Sequence, residues 1–278
     1  MGIIDFRFRP NTAEVVNGIK NSAMFKDLCG AIGFDRMKAQ TLDEIIAGLR
    51  ENGVERAVIT GRDSETTYGS ASNNPSVEAY IRACPEMFVG FWGIDPHKGM
   101  AGVRSLTEAV TRCGFKGAAI DPYLAKIPAS EARYYPFYSK CCELGIPVVV
   151  TTGPASFVPG AVIEHVAPRH MDTVARDFPD LRIVISHGAY PWVGEMIIVA
   201  QRNRNVFLEI SEYERFPQSE AYVQAANTII PDKLLFASAH PFVDYREAIA
   251  TYHSLPFTDA VRRKVMHDNA AALLATLP

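Results

Sequence analysis

No apolar run in this sequence approaches the ~20 residues needed to cross a bilayer, and its start lacks the basic-then-apolar order of a signal segment. Neither a membrane partner nor export is expected. Cysteine is scarce. The five, Cys29, Cys84, Cys113, Cys141 and Cys142, are odd in number and never spaced CxxC, which argues against a disulfide framework or a paired-thiol metal site. They read as structural thiols in a reducing compartment, the cytoplasm. Charge of one sign is missing too: the formal net charge is −3 at pH 7, so no electrostatic footprint for nucleic acid is expected. No GxGxxG follows the first strand pattern, which removes the usual dinucleotide site.

What is present is a core-forming composition, 48% hydrophobic and 21% charged over 278 residues, ordinary for a soluble globular protein. The chain opens on Ile3-Ile4-Asp5-Phe6-Arg7-Phe8-Arg9-Pro10, a period-2 alternation that predicts a two-faced strand. Strict alternation places Ile4, Phe6 and Phe8 on one face and Asp5, Arg7 and Arg9 on the other. Residues 11–40 form a long irregular segment with enough apolar side chains to fold down as a lid. Thr41-Leu42-Asp43-Glu44 is a capping box that opens a helix. The strand–helix unit then recurs until eight strands have each been followed by a helix, with no linker or composition shift. Val148-Val149-Val150 and Ile183-Val184-Ile185 are continuous β-branched runs, suited to a parallel sheet buried on both faces. These features predict an α/β fold, a (β/α)₈ TIM barrel, as one domain over 1–278. Closure turns the Asp5, Arg7 and Arg9 face into barrel interior, with the arginines towards the C-terminal mouth, where active sites of this fold lie.

The strand ends bring together Arg7 and Arg9, Arg62, Asp121, Thr151 and Thr152, His187, Glu209 and Glu212, and His240. The order of segments around them resembles the amidohydrolase-related family of metal-dependent TIM-barrel hydrolases and decarboxylases. The matching phrases are Gly114-Phe115-Lys116-Gly117, Tyr134-Tyr135-Pro136, Leu144-Gly145-Ile146-Pro147, Asp177-Phe178-Pro179-Asp180-Leu181, His187-Gly188 before Pro191-Trp192, and Phe236-Ala237-Ser238. The resemblance covers nearly the whole chain. It implies a His-x-His at the end of the first strand, where this chain has Arg7-Phe8-Arg9. It implies a metal-binding His where Thr151 stands, a catalytic Asp where Ala239 stands and, in two-metal members, a carboxylated Lys near Ala119. His187 alone survives. Two guanidiniums accept no metal and repel a cation, so no metal and no other cofactor is expected, zinc included.

A pair of arginines suits a carboxylate instead. The reading is therefore a metal-independent amidohydrolase-like enzyme that binds a small anionic substrate and hydrolyses it, a lactone being one candidate, or decarboxylates it. Catalysis is assigned to His187 and Glu209, and substrate binding to Arg7, Arg9, Arg62, Asp121, Thr151 and Thr152. The alternative is a barrel that binds anions without turnover. Structural readings stay open beside these: an Asp5–Arg7 ion pair, His187 as a core histidine, and Glu212 as a solvated loop residue. His240 is expected behind the barrel wall. Apolar helix faces leave room for a homo-oligomer.

Overall fold

Short, largely apolar segments pair in chain order as β1 (Ile3–Asp5), β2 (Val54–Thr60), β3 (Phe88–Gly93), β4 (Gly117–Ile120), β5 (Val148–Thr151), β6 (Ile183–Ser186), β7 (Val206–Glu209) and β8 (Leu234–Leu235), all parallel. A computed structural model describes residues 2–22, 25–153 and 158–278. The ring closes at the seam of β1 and β8, where Phe6 N–H donates to the Phe236 carbonyl (2.9 Å) and Ala239 N–H to the Arg7 carbonyl (3.0 Å). The architecture is a single-domain (β/α)₈ barrel.

Two apolar layers follow from the strand period. Outward residues such as Ala57, Ile59, Val148, Val150, Ile183 and Ile185 pack under the helices. Ile4, Phe6, Val58, Val89, Phe91, Ala119, Val149, Val184, Leu235 and Ala237 fill the interior. Phe6 and Phe91 meet edge to face at 5.9 Å. Gly117 leaves the room they need, since a Cβ there would lie 2.5 Å from the Phe91 ring. The Thr41 capping box forms, with Glu44 N–H donating to Thr41 Oγ1 and Thr41 N–H to Glu44 Oε2. It starts the helix Leu42–Glu51, which buries Ile45 and Leu49 against the barrel.

The opening strand differs from strict alternation. Ile4 and Phe6, expected on the outer face, lie inside the barrel, whereas Phe8 lies in the outer layer with Ile45 and Tyr245. The reason is a bend at Phe6–Arg7. One oxygen of the Asp5 carboxylate accepts Arg7 N–H (3.0 Å) and, across the seam, Ser238 N–H (3.0 Å), a local side-chain bond that competes with the regular pleat. Past the bend, Arg7 turns in and Phe8 out. Asp5 thus holds backbone, and the expected Asp5–Arg7 ion pair does not form between their side chains.

The C-terminal helical segment carries a wide turn at Lys264–Asp268 between Asp259–Arg263 and Asn269–Leu274. There the Val265 carbonyl accepts Phe236 N–H (2.8 Å), and Asn269 donates to the Pro231 and Leu234 carbonyls. The widened turn binds the helix to the end of β8. Segment 11–40 is not irregular throughout: it carries the helices Ala13–Lys20 and Lys26–Ile32. No disulfide joins the five cysteines, of which Cys29, Cys84 and Cys141 are buried and Cys113 and Cys142 half-buried. Among the described residues no helix is long and apolar enough to cross a membrane.

Candidate active site

Residues just beyond the C-terminal ends of the strands enclose a cavity of about 300 Å³, within the range of small-molecule sites. Arg7, Arg62, Thr152, His187 and Glu212 provide its polar groups, and Tyr123, Tyr213, Phe216 and Phe242 its aromatic walls. Phe25, Leu28 and Ile32 from segment 11–40 lie across it.

His187 follows β6 with a left-handed backbone (φ 63°), a conformation that costs a non-glycine residue energy and needs support. Glu209 supplies that support. Its carboxylate accepts His187 N–H (3.2 Å) and Ser211 N–H (2.8 Å). Thr152 holds the same turn from the other side, accepting Ala189 N–H (2.8 Å) and donating to the Ser186 carbonyl. The His187 ring is buried, with Nδ1 2.8 Å from the Ser211 carbonyl. A carbonyl only accepts, so Nδ1 carries the proton and Nε2 is the basic nitrogen. Burial first, and then Arg7, hold the ring well below the ordinary histidine range, so it is neutral near pH 7.

Glu212 is not a solvated loop residue. It lines the cavity, and its Oε2 lies 3.7 Å from His187 Nδ1. Its backbone is also left-handed (φ 72°). Burial raises its carboxyl to about 7, against the pull of Arg7 and Arg9. Glu209, expected to be the carboxylate of the chemistry, has its oxygens on backbone amides and is absent from the cavity wall. The pocket carboxylate is Glu212. Acidic spacing after β7 offered both residues, and only the turn geometry separates them.

The cationic groups are divided. Arg62 is clamped by Asp121 through two bonds of 3.3 and 3.2 Å. Burial opposes both charges, but each sustains the other: Asp121 is held below its usual range and Arg62 above its own. Asp121 is thereby committed to Arg62. Arg7 is 3% exposed; Nη1 reaches Thr151 Oγ1 at only 3.5 Å, and Nε has no partner among the described residues. Arg9 was expected beside Arg7 on one ligand, yet it lines a neighbouring cavity. His240 stacks on Phe8 at 4.9 Å, outside the pocket wall. Tyr123, Tyr213, Phe216 and Phe242 had not been singled out; the aromatic spacing Tyr213-x-x-Phe216 directly after Glu212 was the available signal.

The amidohydrolase family model matches residues 28–276. The chain belongs to the amidohydrolase family. An uncharacterized TIM-barrel protein of Bordetella bronchiseptica is 29% identical, with 99% of each chain covered and a TM-score of 0.81. The 2,6-dihydroxybenzoate decarboxylase from Rhizobium shares the fold (16% identity, 99% of each chain, TM-score 0.71). So does a dihydroxybenzoic acid decarboxylase from Polaromonas sp. with bound manganese (18% identity, 99% of this chain and 97% of that one, TM-score 0.67). A curated relative, the 2-keto-4-carboxy-3-hexenedioate hydratase of Sphingobium sp., is 25% identical over 181 residues, 52% of this chain. The match spans about half that relative's length, 51%.

Amidohydrolase barrels of this kind raise the question of a metal at the mouth. The donors present do not fit one. Among the described residues, His187 and Glu212 are the only such ligands that line the pocket, the β1 end carries guanidiniums, and no group of three His, Cys, Asp or Glu side chains could hold an ion. Metal sites need about three or four ligands.

Proposed function

We propose that this amidohydrolase is a metal-independent enzyme of small carboxylated substrates that uses His187 and Glu212 to activate water for hydrolysis, with a lactone as a fitting substrate class. The observation that carries this is the pairing of a neutral His187 with the Glu212 carboxylate, 3.7 Å away, in a pocket that also holds the unpaired Arg7. Arg7 receives the substrate carboxylate, a task suited to its planar donor fork. Nε2 of His187 takes a proton from water as the oxygen adds to the ester carbon. The ionised Glu212 stabilises the imidazolium so formed, and the Ser211 carbonyl keeps the ring oriented. Negative charge growing on the carbonyl oxygen is met by Arg62 at the pocket edge. The imidazolium then returns its proton to the departing alkoxide. Acting on carboxylated compounds is in keeping with the names of the hydratase and decarboxylase relatives.

Decarboxylation is the second reading, favoured by a Glu212 carboxyl that keeps its proton up to about pH 7. When the carbon–carbon bond breaks and carbon dioxide leaves, the electron pair left on carbon would take that proton. The two chemistries demand opposite ionisation states of Glu212, so their rates move in opposite directions with pH.

The test is a screen of carboxylated lactones and hydroxybenzoic acids with protein stripped by a chelator and assayed for residual metal. Turnover by the stripped protein, lost by about 10²-fold or more in His187→Ala, is the expected result. Activity that tracks added zinc or manganese stoichiometrically would overturn metal independence. Tight binding with no turnover would favour the anion-binding alternative.

A further inference from the structure

Arg9 is a buried charge with little compensation among the described residues. It is 7% exposed, and its backbone N–H is tied to the His240 carbonyl, yet no described residue gives its guanidinium a hydrogen bond or an ion pair. The Phe242 ring lies beside it, its centroid 6.0 Å from the guanidinium carbon. Burial, followed by repulsion from Arg7 and Arg62, lowers its pKa to about 9. A buried cation without a partner is costly. Three guanidiniums crowd this end of the barrel; among the described residues Asp121 forms a hydrogen-bonded ion pair only with Arg62, and its charge reaches Arg9 and Arg7 through space alone. Arg7 also lacks a carboxylate. The mouth therefore carries two uncommitted, buried, fork-shaped donors.

They face different spaces. Arg7 lines the His187 pocket, and Arg9 lines an adjoining cavity of about 320 Å³. Ser22, Ser64 and Ser70 line the second cavity together with Arg9, and the exposed Glu14 also lies in its wall. Phe25, Phe242 and Arg62 belong to both walls, and the two phenyl rings stand 6.1 Å apart. The partition is thus one pair of side chains thick.

We propose that Arg9 anchors a second carboxylate of the ligand, so that the substrate is a dicarboxylate reaching from the His187 pocket past Phe25 and Phe242 into the adjoining cavity. This rests on the reading of the His187 pocket as a carboxylate site and narrows it from carboxylated compounds to dianions. One carboxylate on Arg7 and one on Arg9 would neutralise both orphan charges in one molecule. The planar fork of each arginine matches a carboxylate edge, and the serine hydroxyls supply further donors on the Arg9 side.

The experiment measures binding rather than turnover, by titration calorimetry on the full chain. The probes are isophthalate against benzoate, and adipate against hexanoate. At least one dicarboxylate is expected to bind tenfold or more tightly than its matching monoacid. Arg9→Gln should abolish that advantage and leave the monoacid within about twofold, whereas Arg7→Gln should weaken both. Arg9→Lys keeps the charge and should restore part of the advantage, which separates recognition from a folding defect. The inference is overturned if no dicarboxylate outbinds its monoacid, or if Arg9→Gln weakens both classes equally. Two equivalents of benzoate, one of them lost in Arg9→Gln, would also overturn it by revealing two separate sites. Wild-type protein that binds benzoate through Arg7 but gives no dicarboxylate any advantage would sink this inference alone. Failure of every carboxylate to bind would remove the functional reading beneath it as well.

Discussion

The Glu212 carboxylate lies 3.7 Å from the Nδ1 of His187, the same nitrogen that gives its proton to the Ser211 carbonyl at 2.8 Å. The ring is oriented by one neighbour and charge-balanced by another, and its second nitrogen remains available for chemistry. Both residues sit on left-handed backbone, at φ 63° and 72°, so the arrangement is bought with strain that the surrounding bonds must hold.

Glu212 gives the reaction its pH signature. Its carboxyl is raised to about 7 by burial. Hydrolysis through an ionised Glu212 should speed up as pH rises through about 7, and decarboxylation through a protonated Glu212 should slow down over the same interval. Glu212→Gln should flatten this limb and lower kcat by about 10²-fold. A pH–rate profile of both proteins decides the matter; an unchanged limb in the variant would remove Glu212 from the chemistry.

Glu209 acts through others, as a positioning residue. Glu209→Gln keeps one acceptor oxygen for two amides, leaving His187 N–H or Ser211 N–H short of a partner, at a cost of roughly 1–3 kcal/mol in stability. Activity should fall because the His187 turn loosens, yet the Glu212 pH limb should survive. Urea unfolding and a pH–rate profile on the same variant separate the two effects. Loss of the limb itself would restore Glu209 as a titrating participant.

The Arg62–Asp121 pair is largely buried, with side-chain exposures of 15% and 9%. Removing one partner from such a pair typically costs about 3–5 kcal/mol because the survivor stays buried without compensation. Asp121→Ala should lose an amount of this order at pH 7. Asp121 is held below its usual pKa, so the pair's contribution should also disappear from wild type as pH falls through that depressed value. Denaturant midpoints at pH 7 and in acid provide the check.

Asp5 should work in the opposite sense. Burial raises its carboxyl to about 7, and one oxygen has no hydrogen-bond partner among the described residues. A folded pKa above the unfolded value means the native state holds the extra proton, so stability is full below about pH 4 and drains away as pH rises to about 7. Asp5→Asn keeps an acceptor for Arg7 and Ser238 without the charge. It should flatten this slope and gain on the order of 2 kcal/mol at pH 8. Unfolding curves for both proteins from pH 4 to 8 would expose a failure as two parallel slopes.

His240 supplies the reverse slope. Its ring is buried against Phe8 with no hydrogen-bond partner for either nitrogen among the described residues, and burial lowers its pKa to about 4. A depressed histidine costs stability as pH falls from about 6.5 towards 4, because the unfolded chain takes up the proton first. His240→Leu should lose this acid sensitivity. The comparison is best made as a difference in unfolding free energy between the two proteins, and a constant difference across that range would refute it.

The order of eight βα units, the helix opened by Thr41 and Glu44, the seamless single domain and the family kinship were all legible in the residues themselves. Such features depend on period, capping chemistry and local order, which a chain expresses without knowing its partners. The facing of β1 was not legible. Alternation assumes an unbroken pleat, and the Asp5 carboxylate breaks it by gathering amides from Arg7 and, across the seam, from Ser238, 233 residues away in sequence. Ile4 and Phe6 face inward before that bend, and the bend then turns Arg7 into the pocket and Phe8 outward. The assignment of Arg7 and Arg9 to two cavities, and of Glu212 rather than Glu209 to the cavity wall, likewise depends on what the other strands bring alongside. Residue types pointed to the mouth of a barrel. Only the packing of distant segments decided which charges are left there without a partner.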